Sequence, residues 1–136
     1  MALKNNYQQI AHRSIRASNE CRKIQEKSAF LAYHAFESIG SSLSEHNGLP
    51  VGSHVSHNNK INNFINSSKN YCSTTEQNKI AGIAVTLSNL RNKLLYPIYN
   101  NSTSTYDSPE TIITQAQSNS LRNDVKKVIK IVDKII

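Results

Sequence analysis

The sequence has no tryptophan, one methionine, four glycines, three prolines and two cysteines in 136 residues. So few glycines and prolines argue against a β-sandwich or barrel, which needs frequent turn residues. Cys21 and Cys72 allow at most one disulfide, and because the N-terminus has no apolar signal segment, we expect free thiols in a cytoplasmic protein. No apolar run approaches the roughly 18 residues of a transmembrane helix, so we expect no membrane partner. The length fits one domain over residues 1–136.

The formal net charge is +7, and the whole excess lies at the two ends of the chain. Residues 1–27 carry six Lys or Arg against two Glu, residues 121–136 carry five against two Asp, and residues 28–120 carry five of each sign. Since the first and last helices of a bundle are often neighbours, we expect the two ends to form one basic face. Such a face attracts a polyanion. A solvated surface that aids solubility explains the same pattern.

Apolar residues recur at spacings of three and four, as in amphipathic helices. In residues 1–45 this pattern is continuous, but one helix of that length would measure about 65 Å. We therefore predict two helices, with a break or sharp kink between Ala17 and Ser28. The second helix should end near Glu45–Asn47, with Gly48 as its stop.

The rest of the chain predicts more helices and no strand. In chain order we predict a loop over residues 46–59, a short helix around Ile61–Ile65 and a loop over Asn66–Thr75. A helix from Ile80 follows, and Pro97 ends it. After a polar loop over Asn100–Asp107, a last helix starts at Ser108-Pro109, with Ile112, Ile113 and Ala116 inward. The fold class is all-α, an antiparallel up-and-down bundle of four long helices plus one short helix.

Histidines are concentrated in the loop after the second helix. His54 and His57, together with Cys72, are three of the ligand types that zinc uses. A structural zinc site usually has four ligands, however, and no CxxC or HExxH motif is present, so ordinary hydrogen bonds are the competing interpretation. Phosphate-cradling and serine-nucleophile motifs are absent as well. We predict no metal and no cofactor.

Arg91 is the most distinctive charged residue in the neutral part of the chain. It follows a stripe of core-facing residues and lies close to the helix end before Pro97. Such a cation either pairs with an acid such as Glu37 while its stem packs, or is held at a cleft for an anion. His34, on the second helix, is expected to be partly buried or to form a wall of the same cleft.

Three segments carry a family resemblance by their order and spacing. Ser28–Phe36 reads S-A-F-L-A-Y-H-A-F and is similar to an aromatic second helix of the type S-A-Y-Y-A-x-F-H-A. The loop Gly48–His57 contains Ser53-His54 and resembles a K-S-H turn, and Leu90–Pro97 resembles a helix end that contains R-N. Together they resemble a HEPN domain, a helical family linked to nucleotide-binding proteins, over most of the chain.

Catalytic HEPN members are metal-independent ribonucleases with an R-x4–6-H motif. The resemblance implies that Arg91 stabilises the phosphorane charge while a histidine shuttles protons. Five residues after Arg91 the chain has Tyr96, and no histidine follows His57. Tyr96 is therefore a candidate catalytic residue by position. A replacement histidine would come from His34, His54 or His57.

Three functions fit these observations. The first is a HEPN-like domain that binds RNA or nucleotides, with a nucleotidyltransferase partner as in the toxin–antitoxin members it resembles. The second is a metal-independent endoribonuclease toxin, and the third is a helical interaction module. The resemblance also implies a homodimer with Arg91, Tyr96 and Tyr99 near its two-fold axis. The candidate RNA- or anion-binding residues are Arg91, Lys93, Arg13, Arg16, Lys126 and Lys127.

Overall fold

The computed structural model describes residues 2–136, most of which lie in six helices and one short hairpin. The all-α prediction is confirmed. The elements are α1 (Leu3–Glu20), α2 (Gln25–His46), α3 (His57–Tyr71), α4 (Thr74–Leu95), β1 (Ile98–Asn100), β2 (Thr105–Asp107), α5 (Pro109–Ile112) and α6 (Gln115–Asp133). Five helices have 15 to 22 residues, one more than the four long helices predicted, and α5 has 4. Every helix within residues 2–136 is too short or too polar to cross a bilayer.

The central helix of the bundle is α2, which contacts each of the other helices. Fourteen of its 22 residues are buried, many of them Ala or Ser. The core around it combines its own large apolar residues with those of its neighbours: Phe36, Ile39, Leu43, Ile15, Phe64, Leu87 and Val128. A polar side chain in the middle of α2 is therefore buried among several helices at once.

The predicted break between Ala17 and Ser28 is confirmed, and it lies at residues 21–24. Hydroxyl groups join the two helices across it, since Ser28 Oγ donates to the Ser18 carbonyl at 2.8 Å. The buried Arg122 of α6 donates to Ser28 Oγ at 3.1 Å. Arg122 is 5% exposed, so this cation of the basic C-terminal segment lies in the interior and adds little to a surface.

The predicted end of α2 is also confirmed. The helix ends at His46, and Gly48 adopts a φ of +76°. The Gly48 N–H donates to the Glu45 carbonyl at 3.0 Å, and the Leu49 N–H donates to the Ser44 carbonyl at 2.9 Å. These two bonds form a Schellman motif, which favours glycine because a side chain is strained at that φ.

The predicted loop over Asn66–Thr75 is wrong. Helix α3 continues to Tyr71, and residues 72–73 alone separate it from α4. The polar sequence is helical because Ser67 and Ser68 are fully buried against neighbouring helices. Asn47 Nδ2 donates to Ser67 Oγ at 3.2 Å. A tertiary contact thus supplies a hydrogen bond to the Ser67 hydroxyl, although the polar sequence around it predicts a loop.

The long connection after α2 returns the chain so that α3 runs roughly parallel to α2. His57, at the start of α3, lies beside Glu37, while Ser67, near its end, lies beside Asn47. Between these two contacts, Gly40 of α2 faces Phe64 of α3. A Cβ on Gly40 would lie 2.5 Å from Phe64 Cδ2. This close approach sets how α3 is placed against α2.

The prediction of a polar loop without strands after α4 is wrong. Strands β1 and β2 pair antiparallel, with Tyr99 directly opposite Tyr106. Aromatic and β-branched residues favour strands, but here they are diluted by Asn and Ser. Ser104, in the turn, has a φ of +56°.

The prediction of one last helix is also wrong. Pro109 begins the one-turn α5, as expected of proline at a first helical position. The chain is extended at Ile113, and α6 then starts from its own cap. Thr114 and Gln117 form a capping box, in which each side chain accepts the other's backbone N–H. Ala116, expected to face inward, is exposed.

Candidate functional site

The site is built on a buried carboxylate in the middle of α2. Glu37 is 7% exposed, and Tyr33, one helical turn earlier, is 3% exposed. The Tyr33 hydroxyl donates to Glu37 Oε2 at 2.7 Å. Burial, reinforced by the Glu37 carboxylate, raises the pKa of the Tyr33 hydroxyl above its ordinary value. The tyrosine therefore stays protonated and remains a donor to Glu37.

Helix α3 brings two further groups to this carboxylate. His57, the first residue of α3, lies with Nδ1 2.7 Å from Glu37 Oε2. Lys60 lies one turn later, with Nζ 3.6 Å from Glu37 Oε1. Ser56 caps the helix by accepting the Asn59 N–H at 3.2 Å. The cap starts the helix where His57 and Lys60 share one face.

Arg91 completes the site from the last turns of α4. Its Nη2 lies 2.9 Å from His57 Nε2, and its Nη1 donates to Asn92 Oδ1 at 3.1 Å. Its Cζ lies 5.8 Å from the centroid of the Tyr33 ring, within the range of a cation–π contact. Helices α2, α3 and α4 thus each contribute to one cluster, which consists of Tyr33, Glu37, His57, Lys60 and Arg91.

The donors and acceptors around His57 favour one tautomer of its ring. A guanidinium only donates, so Nε2 must accept from Arg91 and carries no proton. The single ring proton is then on Nδ1, which donates to the Glu37 carboxylate. The imidazole is neutral and is held by its Nδ1 proton, as in a histidine oriented for base catalysis. Its reactive lone pair lies at the guanidinium.

The charge of Arg91 is not matched by an acid. Among residues 2–136 no carboxylate lies within 4.0 Å of it, whereas Glu37 is shared by Lys60 and His57. With one carboxylate and two cations, the cluster has a net charge of +1. Each terminal nitrogen of Arg91 has two N–H groups, and one on each has no acceptor within the described residues. The expected direct pair of Arg91 with Glu37 is therefore not present.

The structure brings together Arg91 and only one of the candidate histidines. His57 is the histidine that contacts it, while His54 and His34 are exposed. The partly buried position expected for His34 is wrong, because its place on α2 faces solvent. Tyr96 is 60% exposed, and its hydroxyl makes no hydrogen bond within residues 2–136. Position in the sequence is thus a poor guide to the partner of Arg91.

The structure also separates the suggested zinc ligands. His57 begins α3 and Cys72 follows its end, which places them about 20 Å apart at 1.5 Å per residue. Burial raises the pKa of the Cys72 thiol, and Glu76 adds to the effect. Within the described residues no three His, Cys, Asp or Glu side chains cluster closely enough to hold a metal ion.

Helices α1 and α6, which carry the two basic ends of the chain, contact each other as expected, while one shared basic face stays a prediction. His12 Nε2 lies 2.9 Å from Asp133 Oδ2, and Lys126 Nζ lies 3.5 Å from Asn19 Oδ1. The remaining candidates for anion binding, Arg13, Arg16, Lys127 and Lys93, are exposed. None of the basic candidates on α1 and α6 contacts Arg91 within residues 2–136. Arg13 and Arg16 border a groove with Leu31 of α2, whereas Lys126 borders one with His12.

Two members of the cluster were not predicted from the sequence. Tyr33 and Lys60 had no assigned role, and Glu37 appeared only as a pairing partner for arginine. Their spacing could have indicated the site, because Tyr33 and Glu37 are four residues apart on one helix and His57 and Lys60 are three apart on the next. Residues at these spacings lie on the same face of a helix. A scan against protein-family models matches no family to the chain, and a search of curated proteins finds no match.

Proposed function

We propose that the chain is a HEPN-like RNA-binding domain in which Arg91 binds a phosphate of the RNA. The observation that carries the proposal is the unpaired charge of Arg91. Its guanidinium contacts a neutral imidazole, an amide and an aromatic ring. One N–H on each terminal nitrogen is left for a phosphate, and a guanidinium can bind that group through two parallel hydrogen bonds.

Binding a phosphate would also change the state of His57. The hydrogen bond from Arg91 now occupies Nε2, and a phosphate that draws the guanidinium away leaves that lone pair free. The Glu37 carboxylate continues to hold Nδ1–H and so fixes the ring. An oriented, neutral imidazole next to a bound phosphate is an arrangement suited to general base catalysis.

This orientation of His57 favours the second candidate function, metal-independent RNA cleavage. His57 Nε2 takes the proton of the 2′-hydroxyl, and the 2′-oxygen attacks phosphorus while Arg91 stabilises the added negative charge. The P–O bond to the 5′-oxygen breaks, and that oxygen takes the proton from the His57 imidazolium. The products are a 2′,3′-cyclic phosphate and a 5′-hydroxyl, so atoms and protons balance without a metal.

Arg91→Ala tests the binding proposal. We expect it to weaken binding of a labelled single-stranded RNA about tenfold or more, because a charge-assisted bidentate contact is lost. It should also reduce the slope of log Kd against log salt by about one, since one phosphate contact disappears. Fluorescence anisotropy at several salt concentrations measures both quantities.

Lys69→Ala is the matched control for this experiment. Lys69 is exposed near the end of α3 and outside the two basic segments, so its removal changes the net charge equally but leaves the cluster intact. An equal loss of affinity in both variants would show that overall charge alone is recognised and would overturn the role of Arg91. Circular dichroism checks that both variants fold.

Basic residues of α1 and α6 would add further contacts to the RNA backbone. Arg13 and Arg16 on α1 and Lys126 and Lys127 on α6 supply cations that attract the backbone without reading sequence. A nucleotidyltransferase partner stays a prediction of the resemblance alone. Lys93 is exposed and is the cation nearest to Arg91 in sequence, two residues later.

The homodimer is a separate prediction. If two copies pair so that their Arg91 segments face one cleft, sedimentation at tens of micromolar should give about 30 kDa, twice the mass of 15.2 kDa. A value near 15 kDa at that concentration contradicts the dimer. It leaves the binding proposal intact, because one chain supplies the whole cluster.

A further inference from the structure

The hairpin that follows α4 carries an unusual concentration of exposed aromatic surface. Tyr96, Tyr99 and Tyr106 are 60%, 49% and 68% exposed. The Tyr99 and Tyr106 rings lie 5.2 Å apart between centroids and meet edge to face at 72°. No hydrogen bond joins any of the three hydroxyls to another part of residues 2–136. The rings therefore remain free to contact a ligand.

Side-chain hydrogen bonds within the hairpin connect its two strands and its turn. Asn100 Nδ2 donates to Asp107 Oδ2 at 3.1 Å across the strands, and Asn100 Oδ1 accepts the Ser102 N–H at 3.0 Å. In the turn, the hydroxyls of Thr103 and Thr105 lie 2.8 Å apart. A two-stranded hairpin is marginal by itself, and these contacts order the strands that present the tyrosines.

We propose that this hairpin is a stacking platform for the nucleobases of single-stranded RNA, with Tyr99 and Tyr106 as its main contacts. The inference rests on the proposed function and names its substrate class. In an edge-to-face pair, at least one ring keeps a free face, and every base stacks on such a face. In duplex RNA the bases are stacked on each other, so the platform selects single strands.

The position of the hairpin in the chain supports this ligand. Arg91 lies in the last turns of α4, and Tyr99 lies eight residues later, which limits their separation to about 20 Å. A few nucleotides of single strand span that distance. Residues 96–108 contain one charged residue, Asp107, which is tied to Asn100. The hairpin would bind bases while Arg91 and Lys93 bind phosphates.

A protein partner fits the hairpin less well. Each partner of a stable complex buries about 800 Å², far more than three tyrosine rings can supply. The residues between the strands are Asn, Ser and Thr, which hydrogen-bond to base edges and do not form an apolar interface core. The patch is too small and too polar to be a dimer interface by itself.

Tyr106→Thr tests the platform, because threonine keeps β propensity and removes the ring. We expect affinity for a labelled unstructured RNA to fall about tenfold, the effect of losing one stacked base. Tyr106→Phe should stay within about twofold, since the ring remains. The slope of log Kd against log salt should not change, in contrast to Arg91→Ala. Affinity for a duplex of equal length should be the same in the wild type and in Tyr106→Thr.

Tyr71→Thr is the matched control, because Tyr71 is 41% exposed at the end of α3 and away from the hairpin. Equal losses in Tyr71→Thr and Tyr106→Thr would overturn the platform. So would unchanged RNA affinity in Tyr106→Thr, or a dimer that dissociates in this variant while RNA binding persists. If only Arg91→Ala loses affinity, the platform fails and the proposed function stands. If the wild type binds no RNA, both fail.

Discussion

We expect replacement of His57 with alanine to lower the rate of the proposed RNA cleavage in EDTA by about a hundredfold or more, the usual contribution of a general base. Within residues 2–136 His57 is the only imidazole in contact with Arg91, and its Nε2 would take the 2′-hydroxyl proton in the proposed reaction. Because the neutral ring has no charge to offer a phosphate, RNA affinity should change by no more than about threefold. The variant thus separates chemistry from binding.

The measurement uses a 5′-labelled single-stranded RNA, with initial rates read from denaturing gels. A 2′,3′-cyclic phosphate at the new 3′ end identifies attack by the 2′-hydroxyl. His54→Ala is the control, because His54 is exposed on the same loop and contacts no member of the cluster. His57 is itself exposed at the first position of α3, so alanine there should leave the fold intact.

Two results would contradict the catalytic role. Cleavage that persists unchanged in His57→Ala would exclude this histidine as the base, and activity that EDTA abolishes would point to a metal-dependent reaction. If the wild type does not cleave RNA at all, the cleavage candidate fails. The binding proposal is then decided by Arg91→Ala alone.

The sequence predicts the helices whose core-facing residues are large and apolar. Ile83, Leu87 and Leu94 define α4 without ambiguity, and Pro97 marks its end correctly. The same reasoning fails at Ser67 and Ser68, because their burial depends on Asn47 and other groups from distant parts of the chain. Local pattern cannot register a polar residue that is satisfied by tertiary contacts.

In the candidate site, too, local sequence predicts one residue and tertiary packing determines its partner. Arg91 is found from sequence because a cation next to an apolar stripe is unusual. Its histidine is not, since His57 lies 34 positions earlier and reaches Arg91 only through the packing of α3 between α2 and α4. Spacing along the chain pointed to Tyr96, which the structure leaves exposed.

Gly40→Ala is expected to destabilise the fold, although alanine is normally the better helix former. In an open helix this change stabilises by about 0.5–1 kcal/mol. Here the added Cβ would lie 2.5 Å from Phe64 Cδ2 and 2.7 Å from Cγ. Phe64 is fully buried, with its ring 5.0 Å from that of Phe36, so it has no free space to enter. We expect a net loss of about 1–3 kcal/mol in the free energy of unfolding.

Gly82→Ala provides the matched control in the same chain. Gly82 lies within α4, and a Cβ there would meet nothing within 4 Å. The same substitution should therefore raise stability by about 0.5–1 kcal/mol. Urea unfolding followed by circular dichroism measures both variants. Two variants that shift in the same direction would contradict the steric explanation.

A double-mutant cycle tests whether the contact with Phe64 is the cause. Phe64→Ala alone should cost about 3–5 kcal/mol, because it empties part of the core. In that background Gly40→Ala should cost little or should stabilise, since the ring it would strike is gone and the methyl group fills space. Additive losses would place the strain elsewhere. The same contact sets the separation of α2 from α3, and hence of Glu37 from His57. Gly40→Ala should therefore also reduce the proposed RNA cleavage, measured under conditions where the variant is fully folded.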